Sequence, residues 1–247
     1  QLLALQFPTI PAGMIQDTYI LRTLQRPEER EPNTNTILLA GIKRLGIESP
    51  ELQLRRAARL SNNGDLEDAK AAVKQFSKTL LSRRARLVGT GGIKLTPEQK
   101  SAEEVQLDNL AWSKNVMLGM IASRDGRLGN ARRTLQDALQ AQVAVSSEKR
   151  LQATLLLADI YRRMGVWDLA ATTFESASVI SPDKQELRVL AAEAWTAAGN
   201  ASNAFAQWKT VNGNSPRLQV QQLRALIAEE FAKPPSSRNF EIIWRTY

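Results

Sequence analysis

Small residues recur at fixed places in the middle of the chain, and this spacing constrains the fold more than any other feature of the sequence. The stretch in question reads LADIYRRMGVWDLAATTFESASVISPD, and four of its small residues lie seven, five and seven positions apart: Ala158, Gly165, Ala170 and Ala177. An amphipathic helix needs an apolar residue every three or four positions, but it does not need small residues at fixed positions. Fixed small residues indicate that two backbones approach closely, so the spacing predicts paired helices.

The same pattern returns 34 residues later, at Gly199. An alanine follows each of these two glycines by five residues, and an aromatic residue follows by nine. In units counted from Leu151 and from Gln185, the first unit has Ala158, Tyr161, Gly165, Ala170, Phe174, Ala177 and Pro182 where the second has Ala192, Trp195, Gly199, Ala204, Trp208, Val211 and Pro216. A third unit begins at Trp112 and has Gly126, and a weaker one begins at Pro50 and has Gly64.

A 34-residue period of this kind resembles the tetratricopeptide repeat family. The resemblance implies an all-α, right-handed α-solenoid of helix-turn-helix repeats, with an N-terminal arm and a C-terminal capping helix. Physical reasoning favours the same arrangement, because glycine ends the first helix of a unit in a left-handed turn and proline suits the turn between units. The expected organisation is an arm with helices at 1–49, a degenerate unit at 50–83, a loop and a helix at 84–111, three units at 112–216, and a capping helix with a tail at 217–247.

Composition argues against catalysis. The 247 residues include no cysteine and no histidine, which removes thiolate nucleophiles, the common zinc ligand sets and the commonest general base. The fragment GTGGIK lacks the spacing of a phosphate-binding loop, and the Ser146–Lys149 pair matches a motif that chance produces often. We therefore predict that the chain is not an enzyme and uses no cofactor, metal or small-molecule substrate.

The resemblance also implies a binding groove lined by the first helix of each unit. A peptide or a helix of a protein partner would bind there, with apolar anchors and mixed charge. The alternative is a solvated groove whose ion pairs satisfy one another. The Lys and Asn pattern by which some members hold a terminal carboxylate is absent. The candidate groove residues are Val116, Met120, Arg124, Leu155, Asp159, Arg162, Arg163, Val189 and Glu193.

A second candidate surface is basic. Residues 50–150 carry 18 Lys and Arg against 11 Asp and Glu, which accounts for +7 of the net charge of +8. Such a stripe is either a solvated face or a surface for an acidic protein, an anionic membrane or nucleic acid. The scarcity of aromatic side chains beside it argues against nucleic acid. The residues of this predicted basic face are Lys70, Lys74, Lys78, Arg83, Arg84 and Arg86.

The sequence thus predicts a non-enzymatic scaffold, assembly factor or subunit that binds a protein segment. The alternative is a basic peripheral protein that docks on an anionic membrane or nucleic acid. The opening QLLALQFPTIPAGMI is apolar and starts at Gln1, so it resembles the exit of a membrane helix or signal region, although a packed arm is the simpler interpretation. Together with the lack of cysteine, this favours a membrane-associated or cell-envelope location. We also expect at least one of the two apolar ends to contact another protein or a membrane.

Overall fold

The computed structural model describes residues 50–88, 96–213 and 216–246. Over these ranges every regular element is a helix and no strand occurs, so the predicted all-α class is confirmed. The chain divides into two compact units, with the boundary between Asp125 and Gly126. The N-terminal arm and helices predicted for residues 1–49 lie outside the described residues.

The part of unit 1 that the structure describes, residues 50–88 and 96–125, contains three helices that pack on one another. They are α1 (Pro50–Asn63), α2 (Leu66–Val88) and α3 (Pro97–Arg124). Apolar side chains from all three helices form the core, because each helix presents one apolar stripe to the other two. The buried core residues are Leu54, Ala57, Leu60, Ala69, Ala72, Val73, Phe76, Leu80, Leu107, Leu110 and Ile121.

The helix ends of unit 1 differ from the expectation for residues 84–111. A loop followed by a helix was predicted there; in the structure α2 continues to Val88 and α3 begins at Pro97. Thr96 starts α3 with a capping box, in which its hydroxyl accepts from the backbone N–H of Gln99 while the Gln99 side chain accepts from the backbone N–H of Thr96. The repeat boundaries predicted near residues 83 and 112 therefore fall inside helices.

Unit 2 is a succession of helices in which each packs against the next one in sequence. The helices are α4 (Leu128–Gln140), α5 (Ser147–Arg163), α6 (Trp167–Ile180), α7 (Gln185–Ala197), α8 (Ala201–Thr210), α9 (Pro216–Ala232) and α10 (Glu241–Thr246). The helix predicted after Pro216 is confirmed as α9, which packs on α8. Ser146 of the chance motif is the N-cap of α5, and its hydroxyl accepts from the backbone N–H of Lys149.

Left-handed glycines make the turns that the sequence predicted. The backbone angle φ is 90° at Gly64, 76° at Gly126, 72° at Gly165 and 75° at Gly199. After three of them, the next backbone N–H bonds the carbonyl five residues back, at 2.9 to 3.1 Å: Asp65 to Leu60, Val166 to Tyr161 and Asn200 to Trp195. This bond is the mark of a Schellman motif, which needs a residue that tolerates positive φ. The weakly matching repeat that begins at Pro50 thus has the same turn as the two well-matched repeats.

Small residues occupy the close contacts between helices. Ala158 and Ala170 are fully buried on the paired helices α5 and α6. Ala177, also fully buried, contacts Leu151 of α5 and Leu187 of α7 in one apolar cluster. It therefore packs α6 against the first helix of the following 34-residue repeat. Small residues at equivalent positions of the other 34-residue repeats are buried as well: Ala57, Ala69, Gly119, Ala131, Ala138, Ala192 and Ala204.

Polar side chains satisfy carbonyl groups at the ends of these helices. The Arg150 guanidinium donates to the carbonyls of Leu139 and Val143, at 3.0 and 3.2 Å, and so covers the C-terminal end of α4. The Gln222 amide donates to the carbonyls of Trp208 and Val211 at the end of α8. The last carbonyls of a helix have no partner within the helix, so side chains of the following helix supply one.

Replacement of Gly165 tests the turn without a steric complication, because a Cβ atom there would meet no atom within 4 Å. We expect Gly165→Ala to lower the free energy of unfolding by about 1–2 kcal/mol, and Gly165→Asn to lower it less, since asparagine tolerates left-handed backbone. Urea unfolding followed by far-UV circular dichroism measures both. Gly129→Ala is the matched control, because Gly129 has equal space but lies in the first turn of α4 without a positive φ, so alanine should be tolerated there. Equal effects at the two glycines would contradict the left-handed requirement.

Replacement of Ala170 tests the close approach of α5 and α6. A leucine at this fully buried position would overpack the contact, so Ala170→Leu should cost about 1–3 kcal/mol. Ser176→Leu, on the exposed side of the same helix, is the control and should change the melting temperature little. An unchanged melting temperature for Ala170→Leu would mean that the helix register of this unit is wrong.

Candidate functional site

The residues predicted to line the groove belong to both compact units. Val116, Met120 and Arg124 lie on α3 in unit 1, whereas the other six lie on α5 and α7 in unit 2. Each set is therefore considered within its own unit.

The apolar floor is partly buried in unit 2. Leu155 on α5 is half-buried and packs against the cluster of Leu151, Ala177 and Leu187. Val189 on α7 is also half-buried. Much of the Leu155 side chain therefore serves the core, and only the remaining surface of these two residues is open to a partner.

The charged residues of α5 partly satisfy one another. Arg162 donates to the Asp159 carboxylate at 2.6 Å, three residues away on the same helix. This pair is half-exposed, and such pairs contribute little to stability. Arg163 and Glu193 are exposed. Unit 2 thus has features of both interpretations of the groove, since Arg162 and Asp159 pair with each other and Glu193 is exposed.

Arg124 in unit 1 has a structural contact that the sequence did not reveal. Its guanidinium donates to the backbone carbonyl of Ser61, at the end of α1. The side chain therefore caps a helix of its own unit. Val116 and Met120, on the same helix as Arg124, are half-buried.

The residues of the predicted basic face differ in their surroundings, because some form ion pairs and others are exposed. Lys70 contacts Glu67 at 2.6 Å and Asp125 at 3.1 Å, and these hydrogen bonds raise the pKa of its ammonium group. Arg84 pairs with Asp108 of α3, and Arg83 is half-buried.

The remaining three basic residues of the face are exposed. Lys74 and Lys78 lie one turn apart on α2, and Arg86 lies in its last turn. None of the three has an ion-pair partner within the described residues. They are therefore the part of the predicted basic face that stays open to an anionic partner.

Sequence reasoning missed a cleft in unit 2. It has a volume of about 240 Å³ and lies between α8, α9 and the turn before α8. Trp208, Gln221, Arg224 and several alanines line it. The only available signal was the run of small residues, which the repeat pattern assigned to helix packing alone.

Glu175 on α6 was also missed, although it connects three helices. One of its carboxylate oxygens accepts from the Trp195 indole N–H and from the Gln207 amide, both at 2.7 Å. These partners lie on α7 and α8. A glutamate in the middle of an otherwise uncharged helix segment was the signal that could have indicated such a contact.

The C-terminal segment folds back onto α9. Glu230 is buried, accepts from the backbone N–H of Asn239 at 2.7 Å and pairs with Lys233. The Phe240 ring lies 5.4 Å from the Phe231 ring, and Arg238 stacks over that same Phe231 ring. The tail therefore packs on its own chain at this end, whereas the apolar N-terminal arm lies outside the described residues. Phe231 and Phe240 remain partly exposed.

No described helix combines the length and the hydrophobicity that crossing a bilayer requires. Within the described ranges, no group of three or more acidic side chains is placed to hold a metal ion. No protein-family model matches the chain, and no curated protein matches it either.

The pH dependence of stability tests the Glu230 contact. The backbone N–H of Asn239 and the ammonium group of Lys233 lower the pKa of Glu230 below its ordinary value. A carboxylate with a lowered pKa stabilises the fold above its unfolded-state pKa, and this stabilisation is lost as the pH falls through the folded-state pKa. We therefore expect Glu230→Gln to destabilise the protein most at neutral pH, and the difference from wild type to shrink between about pH 5 and pH 3.

Thermal unfolding over this pH range measures the effect. Glu186→Gln is the control, because Glu186 is exposed in the first turn of α7. A difference between wild type and Glu230→Gln that stayed constant with pH would contradict an ionised Glu230 contact.

Proposed function

We propose that this chain is a tetratricopeptide-type interaction module: a right-handed α-solenoid, without enzymatic activity, that acts as a scaffold, assembly factor or subunit of a larger complex. One observation carries the proposal. The hairpins around Gly165 and Gly199 have the same left-handed turn, the same Schellman bond and the same buried alanines, 34 residues apart. Such repeated hairpins form extended surfaces that bind other proteins. The lack of cysteine and histidine in the sequence supports the non-enzymatic part.

The proposed partner is a protein segment that lies along the first helices of the unit 2 repeats. Val189 and the open part of Leu155 would provide apolar contact, and Arg163 and Glu193 would select a segment of mixed charge. Arg162 contributes through its pair with Asp159, because a partner carboxylate could exchange for that exposed pair at little cost. The partner would thus be recognised by apolar anchors flanked by charges of both signs.

Site-specific photo-crosslinking tests the proposal. A photoreactive side chain at Glu193, exposed on α7, should crosslink to a partner protein in cells, whereas the same group at Ser176, exposed on α6, should not. Both positions tolerate a large side chain, since neither is buried. Equal crosslinking from the two positions would place the interface elsewhere, and no adduct from Glu193 would count against the groove.

Charge reversal on α5 gives an independent prediction. The double variant Arg162→Glu and Arg163→Glu should lose the Glu193-dependent adduct while its circular dichroism stays native, because both residues are exposed and lie outside the core. The double variant Lys209→Glu and Arg217→Glu changes the charge equally at exposed positions of unit 2 and should keep the adduct. A retained adduct in the α5 variant would exclude these arginines from the interface. If the partner instead binds in the cleft beside Trp208, Ala228→Trp should abolish binding, because it places a large side chain in that cleft.

A further inference from the structure

The helix α2 has a long run without acidic residues. From Ala69 to Pro97 the sequence contains seven Lys and Arg residues and no Asp or Glu. Most of these cations lie on α2, downstream of its first turn. We propose that the exposed face of α2, formed by Lys74, Lys78, Leu81 and Arg86, docks on an anionic lipid bilayer. This inference concerns unit 1 and is independent of the partner groove proposed for unit 2.

The environment selects which cations can act. Lys70 is held by Glu67 and Asp125, and Arg84 is held by Asp108, so these two charges are already compensated. Lys74 and Lys78 are exposed and have no ion-pair or hydrogen-bond partner among the described residues. A positive charge that no side chain neutralises remains available to an external anion.

Geometry places these groups on one surface. Lys74, Lys78 and Leu81 are separated by four and three residues, which puts them on the same side of a helix. Arg86 lies further around, and the four residues span about 140° of arc and about 18 Å of helix length. A face of this size can lie flat on a membrane, and only the opposite face of α2 carries buried core residues such as Phe76 and Leu80.

Leu81 distinguishes a lipid surface from other polyanions. Its side chain is 67% exposed, between Lys78 and Arg86, although a large apolar residue gains nothing from water contact. Interfacial helices combine such an apolar residue with flanking cations. Surfaces that bind single-stranded nucleic acid instead use exposed aromatic side chains for stacking, and Phe76, the aromatic residue of α2, is fully buried. The face therefore fits a bilayer with anionic headgroups better than it fits single-stranded DNA or RNA, and the exposed Leu81 gives no advantage on a duplex.

Vesicle co-sedimentation of the full chain tests the inference. The probes are vesicles of phosphatidylcholine alone and vesicles with about a third phosphatidylglycerol. We expect binding to the anionic vesicles only, and weaker binding as salt rises from low to physiological, because screening acts on exposed charges. Each basic residue near an anionic leaflet contributes about fivefold in affinity, so Lys74→Glu with Lys78→Glu should reduce binding at least about twentyfold. Leu81→Ser should reduce it by about threefold or more.

The control is Lys209→Glu with Arg217→Glu, which makes the same change of net charge in unit 2 and should bind nearly as well as wild type. Circular dichroism of each variant checks that the helices remain folded. Four results would overturn the inference: no vesicle binding by wild type, equal binding to neutral vesicles, unchanged binding after the two lysine reversals, or unchanged binding of Leu81→Ser. Binding of a DNA duplex or single-stranded RNA in place of the vesicles would assign the face to nucleic acid.

Discussion

The left-handed glycine turn is the constraint on which each helical hairpin depends. At Gly165 and Gly199 the chain reverses within three residues, so the second helix returns along the first, and alanines let the two backbones approach closely. This approach decides which side chains are buried and which stay on the surface. The half-buried state of Leu155 and Val189 and the exposure of Glu193 are therefore consequences of the turn at Gly165 and its counterpart at Gly199.

The helical pairing could be predicted because it depends on local chemistry. Glycine at the fifteenth position and alanine at the close contacts are visible in the sequence, and the structure confirms them even in the weak unit around Gly64. The ends of α2 and α3 could not be predicted in the same way. The repeat register placed a boundary near Arg83, although the residues up to Val88 continue the helix and the capping box at Thr96 starts the next one early. A periodic pattern locates equivalent residues better than it locates helix ends.

The candidate site was less predictable, because charged residues were assigned from their position in the repeat. Arg124 caps the backbone carbonyl of Ser61, which lies 63 residues away in sequence, and Lys70 on α2 pairs with Asp125, which follows α3. Such contacts depend on how helices distant in sequence pack, and no spacing rule reveals them. Conversely, the repeat pattern gave no role to Glu175, although its two hydrogen bonds connect α6 to α7 and α8.

These contacts separate structural charges from available ones. Helix ends need partners for their last carbonyl groups, and in this chain Arg124 and Arg150 provide them. Such a cation has a fixed orientation and binds an external ligand less favourably, because the hydrogen bonds of the cap would first have to break. The charges open to recognition are those that no cap or ion pair occupies in the described residues, such as Lys74 and Lys78 on α2. A binding surface in an all-helical protein is therefore better sought among the charges that no cap or ion pair occupies than among all the charges that its sequence places on one face.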